Sequence, residues 1–284
     1  MKILHVDVAI IGAGTAGLAA YHAAKTAGAS VLLIEGGEYG TTCARVGCMP
    51  SKLLIAAADA AHAIGQAAEF GIHIDGGIHI DGHEVMERVR RERDRFVGFV
   101  LEDVNDIPGA ERLRGLARFL DDHTLEVAGH TQVKAKGIVI ATGSSAKPLD
   151  SFQGLGERLI TSDDVFDWHD LPKAIAVIGP GIIGLELGQA LSRLRVRVVV
   201  LGRGGRVGPI SDPQIRAYAI AAFNEEFTLE PDAHMTAMQR HDELIDLRRT
   251  MADGSEQTET FDYVLAATGR TPNVGGHRPR SDYA

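Results

Sequence analysis

The sequence predicts an α/β fold made of two parallel-sheet units, each opening with a strand, a glycine-rich turn and a helix. Three observations carry that prediction. Val6-Asp7-Val8-Ala9-Ile10-Ile11 is apolar and β-branched nearly throughout, as a strand buried on both faces should be, and it runs into Gly12-Ala13-Gly14-Thr15-Ala16-Gly17. The same grammar returns at Ala174-Ile175-Ala176-Val177-Ile178, followed by Gly179-Pro180-Gly181-Ile182-Ile183-Gly184. Two further apolar strands, Ile138-Val139-Ile140 and Val264-Leu265-Ala266, run into Ala-Thr-Gly at 141–143 and 267–269. Each falls where a nucleotide-binding domain would finish.

The remaining elements follow from local signals. An alanine-rich helix runs from the first glycine turn to about Ala27, Gly28 stops it, and Val31-Leu32-Leu33-Ile34 forms a strand ending in Glu35, 18 residues after Gly17. Residues 51–66 read as a helix, and 82–106 as a long charged one with Val85, Val89, Phe96, Val100 and Val104 on its apolar face. Stretches 113–119, 124–127 and 131–134 predict a small antiparallel β-meander. Residues 143–172 contain Pro148, Gly154, Gly156 and Pro172 without strong periodicity and read as a linker. After the second glycine turn come a helix to about Leu194 and a strand over 196–201. The expected division is residues 1–150, 151–266 and 267–284, the last returning toward the first domain.

Composition narrows the class. With 45% apolar and 24% charged residues, the 284-residue chain has the makeup of a globular protein. Its 33 glycines exceed the usual ~7% and show no G-X-Y period, which excludes collagen and directs attention to tight turns. With 29 Lys and Arg against 38 Asp and Glu, a net charge of −9 makes nucleic acid and anionic membranes unexpected partners. No apolar run approaches the ~20 residues of a membrane helix, and Met1–Asp7 lacks the pattern of an export signal. A soluble, cytoplasmic chain is expected.

The glycine turns have a mechanical reading. Between a strand and a helix, Gly12, Gly14 and Gly17 allow a tight turn, close backbone approach to a pyrophosphate, and helix packing, with Glu35 placed for ribose hydroxyls. At Gly179, Gly181 and Gly184 the context is the same, but no acid ends the next strand, which closes as Leu201-Gly202-Arg203. Arg203, with Arg206, suits a 2′-phosphate and thus NADP, whereas Gly184 permits the close packing of NAD sites. The choice stays open at this point.

Cys43 and Cys48 are the only cysteines. At the start of a helix such a pair can close a small ring, with one thiolate favoured by the helix N-terminus, so it reads as redox-active. Zinc would need more ligands at comparable spacing; there is no third cysteine, and His62 stands alone. No metal site is expected.

The run Gly40-Thr41-Thr42-Cys43-Ala44-Arg45-Val46-Gly47-Cys48-Met49-Pro50-Ser51-Lys52 resembles the redox-active disulfide signature of the class I flavoprotein pyridine nucleotide–disulfide oxidoreductases. Ala141-Thr142-Gly143-Ser144, the stretch from Gly179 to Glu186, and Ala267-Thr268-Gly269-Arg270-Thr271-Pro272-Asn273 match in the same order. The resemblance implies two Rossmann-like dinucleotide-binding domains, for FAD and NAD(P). It assigns Gly12, Gly14, Gly17, Glu35, Thr42, Lys52, Gly115, Thr142, Gly143 and Ser144 to FAD, with Lys52 near the flavin. Gly179, Gly181, Gly184, Glu186, Arg203 and Gly269 fall to the nicotinamide nucleotide. Cys48 becomes the thiolate facing the flavin and Cys43 the outer thiol that exchanges with substrate.

Within the family the resemblance is nearest the dihydrolipoamide dehydrogenases, implying FAD and NAD as cofactors and a small-molecule or lipoyl-type disulfide as partner. Glutathione reductase-like and mercuric reductase-like NADPH enzymes remain alternatives. Family members continue into a C-terminal dimerisation domain carrying a His-Pro dyad. None of the 12 histidines here precedes a proline, and residues 275–284 do not resemble that continuation. The expectation is therefore a truncated or frame-shifted chain without the dimerisation domain, monomeric where full-length relatives are homodimers, and impaired in turnover.

Overall fold

The computed structural model describes residues 1–147, 150–251 and 253–275, and the chain divides into two compact units. One holds Met1–Arg45, Arg93–Ser145 and residues 271–275; the other holds the described residues of Val46–Glu92 and Ala146–Arg270. Pro148 of the expected linker and residues 276–284 of the expected final segment lie outside the described residues.

In chain order the elements begin with β1 (Lys2–Ile11), α1 (Thr15–Thr26), β2 (Val31–Glu35), α2 (Thr42–Arg45), α3 (Cys48–Gln66) and α4 (Gly82–Asp106). Next come β3 (Arg112–Arg114), β4 (Ala117–Asp121), β5 (Thr124–Val127), β6 (Thr131–Ile140), β7 (Ser144–Ala146), β8 (Leu159–Thr161) and β9 (Ala174–Ile178). The chain continues through α5 (Ile182–Arg193), β10 (Arg197–Leu201), α6 (Pro213–Asn224) and β11 (Thr228–Glu230). It then runs through β12 (His234–His241), β13 (Leu244–Thr250), β14 (Glu256–Phe261), β15 (Tyr263–Ala266) and β16 (Arg270–Pro272), the last pairing with β7.

The first unit is built on a six-stranded sheet of order β3-β2-β1-β6-β5-β4. Its centre is parallel: β1 runs beside β2 in the register Ile11↔Ile34 and beside β6 in the register Ile11↔Ile140. Successive side chains of a strand point to opposite faces, so an apolar run needs cover on both. Ile10, Val31 and Leu33 pack with Tyr21 of α1 and Ile107, while Ala9, Ile11, Leu32 and Ile34 pack with Leu125, Val127 and Val133. Tyr21 anchors α1 further, its hydroxyl donating to Glu111 Oε2 at 2.5 Å beside the Lys25–Glu111 ion pair at 2.8 Å. Burial, helped by the Glu111 carboxylate, pushes the Tyr21 phenol up to about 12.

The meander is not a separate body. Gly115, at φ +143°, breaks the expected 113–119 strand into β3, which lies beside β2, and β4, which closes the opposite edge. Residues 131–134 and 138–140, expected as two strands, form the single β6; its first part pairs antiparallel with β5 while its length pairs with β1.

The second unit repeats the parallel plan, with order β11-β10-β9-β15-β8. Its core includes Leu54 and Ala58 of α3 and Met86 and Val89 of α4 beside Val177, Leu187, Leu191 and Val200. Apolar packing therefore groups residues 46–92 with the second sheet, where the expected division at 150 had them in the first domain. Residues 143–172 are likewise more than a linker: β8 pairs with β15, and Ile160, Val165 and Phe166 are buried. Their elements are too short to show a period. The antiparallel sheet β12-β13-β14 was not expected from sequence.

Polar ties fix the helices of this unit. Arg193 on α5 donates to Glu226 Oε2 at 2.6 Å and to Asp59 Oδ1 on α3 at 2.7 Å, and this guanidinium holds Glu226 below the usual carboxylate range. Asp212 caps α6, accepting from the amides of Gln214 at 2.8 Å and Ile215 at 3.0 Å. No described helix is long and apolar enough to cross a membrane.

Helix α5 ends with the amide of Val196 on the Leu191 carbonyl at 3.0 Å and that of Arg195 on Ser192 at 2.9 Å, leaving Arg195 at φ +68°. Glycine adopts that conformation without a Cβ clash, so Arg195→Gly should raise unfolding stability by about 1 kcal/mol. Urea denaturation of the two proteins measures it.

Candidate functional site

In both units the site grows from the carboxyl end of the central parallel strands. Strand β1 ends at Ile11, and the Gly12 amide donates to the Ile34 carbonyl at 2.8 Å, carrying the chain sharply across β2. Gly12 has φ +105°, and a Cβ there would lie 2.2 Å from the Ala141 carbonyl oxygen. A Cβ on Gly17 would lie 1.8 Å from the Gly12 carbonyl oxygen. Only glycine lets α1 start this close to the strand. Gly14 differs: nothing lies within 4 Å of a Cβ built on it, and no side chain caps the helix that begins there. The turn therefore presents open space to the first-turn amides, the arrangement that receives an anion.

Glu35 braces this turn. Its Oε2 accepts from the Ala13 amide at 2.7 Å and its Oε1 from the Gly37 amide at 2.7 Å, leaving other lone pairs free to accept. Gly115 adjoins it, donating to the Glu35 carbonyl at 2.9 Å. Thr142, Gly143 and Ser144 leave β6 next to Gly12, after the Ala141 amide bonds the Ile11 carbonyl at 2.8 Å. Asn273 joins them: its Nδ2 donates to the Thr142 carbonyl at 3.1 Å, its amide to the Gly143 carbonyl at 3.0 Å, and its Oδ1 accepts from Ser145 Oγ at 2.9 Å. The motif match reached Asn273, but only the fold reveals its role as the fastener of 142–145.

The second unit reproduces this construction. Gly179 has φ +113°, its amide donates to the Leu201 carbonyl at 2.8 Å, and its Cβ would lie 2.5 Å from the Ala267 carbonyl oxygen. A Cβ on Gly184 would lie 2.1 Å from the Gly179 carbonyl oxygen, whereas Gly181 has only one atom, at 3.9 Å. Gly269 follows β15, at φ +114°.

The two turns differ in their bracing. By register Gly202 stands where Glu35 does, and Pro180 where Ala13 does. Proline has no amide hydrogen to give a carboxylate, and a Cβ at Gly202 would meet the Pro180 ring at 2.6 Å and the Pro231 carbonyl oxygen at 2.6 Å. The turn is braced instead by the Gly208 amide on the Pro180 carbonyl at 2.7 Å. Arg203 follows Gly202, exposed, in a loop held by the Gly204 amide on Asp232 Oδ1 at 2.7 Å.

Cys43 lies half-buried in α2, and Cys48, exposed, is the first residue of α3. Thr42 begins α2 and is exposed. Ser51 Oγ donates to the Cys48 carbonyl at 3.1 Å, steadying the first turn of α3. Lys52 forms an ion pair with Glu186, so two residues assigned to different cofactors meet within the second unit. Among the described residues no group of three or more His, Cys, Asp or Glu is placed to hold a metal.

Two strand–glycine turn–helix units in one chain, with a closely spaced cysteine pair between them in sequence, define a class: α/β oxidoreductases handling two dinucleotides. The sequence pattern described as pyridine nucleotide-disulphide oxidoreductase matches residues 6–280, and the chain belongs to that family, whose members use FAD and NAD(P)H. It is 34% identical over 283 residues to a mercuric reductase of Streptomyces lividans, covering 95% of this chain and 58% of the relative. It is 32% identical over 282 residues to dihydrolipoyl dehydrogenase 3 of Pseudomonas aeruginosa, covering 95% and 59%. A glutathione reductase of Nostoc is 31% identical over 274 residues, covering 95% and 58%. The chain thus spans little more than half the length of these relatives. Among solved structures, the HOCl-induced flavoprotein disulfide reductase RclA from Escherichia coli shares the fold, with TM-score 0.77 at 23% identity over 95% of this chain and 58% of that one.

The chemistry of the first turn is compatible with FAD: nothing lies within 4 Å of a Cβ on Gly14, the first helical turn has no side-chain cap, and Glu35 keeps lone pairs beyond its two bonds to backbone amides. Gly14→Ala should therefore leave unfolding stability within about 0.5 kcal/mol of wild type, since its methyl meets no protein atom. It should weaken FAD about tenfold or more, equivalent to 1.4 kcal/mol of lost contact. Urea unfolding and FAD binding followed by flavin fluorescence test the two halves. Gly17→Ala, whose methyl would strike backbone, should lose stability as well.

Proposed function

We propose that this chain passes electron pairs between a nicotinamide nucleotide, FAD and a Cys43–Cys48 disulfide, in the finer form of a dihydrolipoamide:NAD oxidoreductase. The observation supporting it is the duplicated glycine turn together with a Cys-x4-Cys pair, a combination that a binding module would not require. When bound, FAD supplies a two-electron carrier between nicotinamide and dithiol.

The chain's own residues divide the rest of the work. Gly12, Gly14 and Gly17 seat one pyrophosphate and Gly179, Gly181 and Gly184 the other, while Glu35 orients a ribose and Asn273 keeps residues 142–145 in place. Lys52 and Glu186 neutralise one another. In the direction of disulfide reduction, Cys43 Sγ attacks a substrate disulfide, forming a mixed disulfide and releasing one substrate thiol. Cys48 Sγ then attacks Cys43 Sγ, closing the internal disulfide and releasing the second thiol. A cycling dithiol suits a reducing compartment, and we place the reaction in the cytoplasm.

A second reading, an NADPH-using reductase, draws support from one observation. Gly202 stands where an acid would hold a ribose 2′-hydroxyl, Pro180 and Pro231 leave no room for a side chain there, and Arg203 follows in the exposed loop. Anaerobic titration of the FAD-loaded chain with NADH and with NADPH separates the two by which nucleotide bleaches the flavin at lower concentration. Under the second reading Arg203→Ala should raise the concentration of NADPH needed about 10- to 100-fold, the value of a charge-assisted bond to phosphate, and leave NADH within about twofold. No effect of Arg203→Ala together with preference for NADH supports the first. Cys48→Ser should abolish disulfide reduction in either case, and reduction by that variant at the wild-type rate would overturn the dithiol.

A further inference from the structure

Helix α2, which carries Cys43, is only four residues long. A single helical turn has little stability of its own, so its geometry has to come from side chains. Thr41 supplies one tie: it sits at φ +53°, an uncommon conformation for a β-branched residue, and its Oγ1 accepts from the Ala44 amide at 3.0 Å. The Arg45 amide closes the turn on the Thr41 carbonyl at 3.1 Å.

The second tie runs backward from the other end. Arg45 donates Nε at 2.7 Å and Nη2 at 2.5 Å to the same oxygen, the Tyr39 carbonyl, while Nη1 lies 3.4 Å from Glu38 Oε2. The guanidinium lies against Gly40, at φ +120°, where a Cβ would be 2.6 Å from Nε and 3.1 Å from Cζ. Tyr39 is itself held, with the Arg114 guanidinium 4.6 Å above its ring centre. The planar fork of arginine thus bridges the turn bearing Cys43 to the strand-side segment 38–40 in a way a single ammonium cannot copy.

We propose that Arg45 is a positioning residue for Cys43: by clamping α2 onto the Tyr39 carbonyl it sets the outer thiol in the geometry from which it pairs with Cys48. The proposal rests on the reading of the two cysteines as a redox pair. Its energetic meaning is an effective concentration of one thiol for the other, which falls when the turn is released.

The test equilibrates the full chain in glutathione buffers of graded ratio, traps thiols by acid alkylation, and counts them by mass. In the equilibrium the two protein thiols plus oxidised glutathione give the internal disulfide plus two reduced glutathiones, so two electrons and two protons leave the protein. Arg45→Ala should lower that equilibrium constant about tenfold, which raises the midpoint potential by about 30 mV. Arg45→Lys keeps the charge but not the fork and should recover less than half of the shift. Gly40→Ala, whose methyl displaces the guanidinium, should move the potential in the same direction and carries the comparison where Arg45→Ala does not fold. A potential for Arg45→Ala within twofold of the wild-type equilibrium, or full recovery by lysine, overturns the clamp. A wild-type chain that forms no internal disulfide at any ratio instead overturns the redox pair itself, and is recognised before any variant is made.

Discussion

The approach of α1 to β1 and of α5 to β9 rests on two contacts between backbone and empty space: the missing Cβ of Gly17 above the Gly12 carbonyl, and that of Gly184 above the Gly179 carbonyl. With virtual distances of 1.8 and 2.1 Å, any side chain would push the helix off its strand. The consequences spread outward. Each helix begins at the carboxyl end of the central strand, its first-turn amides facing the crevice where the strand order turns from β1 to β6 or from β9 to β15. Ala141 and Ala267 close the crevice from behind, through 2.8 Å bonds to the Ile11 and Ile178 carbonyls. Glu35, Asn273 and Gly269 matter because that crevice exists.

One scaffold is thus built twice and braced in two ways. In the first unit a carboxylate holds the turn through the Ala13 amide; in the second, Pro180 offers no amide, Gly202 no carboxylate, and the Gly208 amide takes over the bracing. The substitutions are complementary, each removing the partner that the other would have needed. The same scaffold thus carries an acid at the end of β2 in one unit and, in the other, a glycine followed by an arginine-bearing loop after β10.

What was legible in the sequence was whatever is local. The strands over 6–11 and 174–178, the glycine turns, and the helices over 51–66 and 82–106 advertise themselves by period and punctuation, and they stand near the expected limits. Pairing that needs distant partners was less visible. Leu54, Met86 and Val89 look alike whichever sheet they face, and they face the second. Ile160 sits in a three-residue strand, too short to declare a period. Strand β12 is largely exposed, with a bulge between Met235 and Ala237 that breaks the alternation a reader would seek. In the site, the glycine positions could be read directly. The Lys52–Glu186 pair, the Asn273 fastener and the Arg45 fork could not, because each joins residues to backbone or partners that only folding brings near.

The crowding around Gly202 also shapes how such a chain can change over generations. A lone replacement of Gly202 by an acid, the step that would copy the first unit, drives a Cβ into Pro180 and Pro231. Replacing Pro180 alone frees an amide hydrogen that has no carboxylate to meet. Neither single step reaches the acidic arrangement, and changing both still leaves the Pro231 carbonyl oxygen 2.6 Å from the new Cβ, so the segment at Pro231 would have to shift as well.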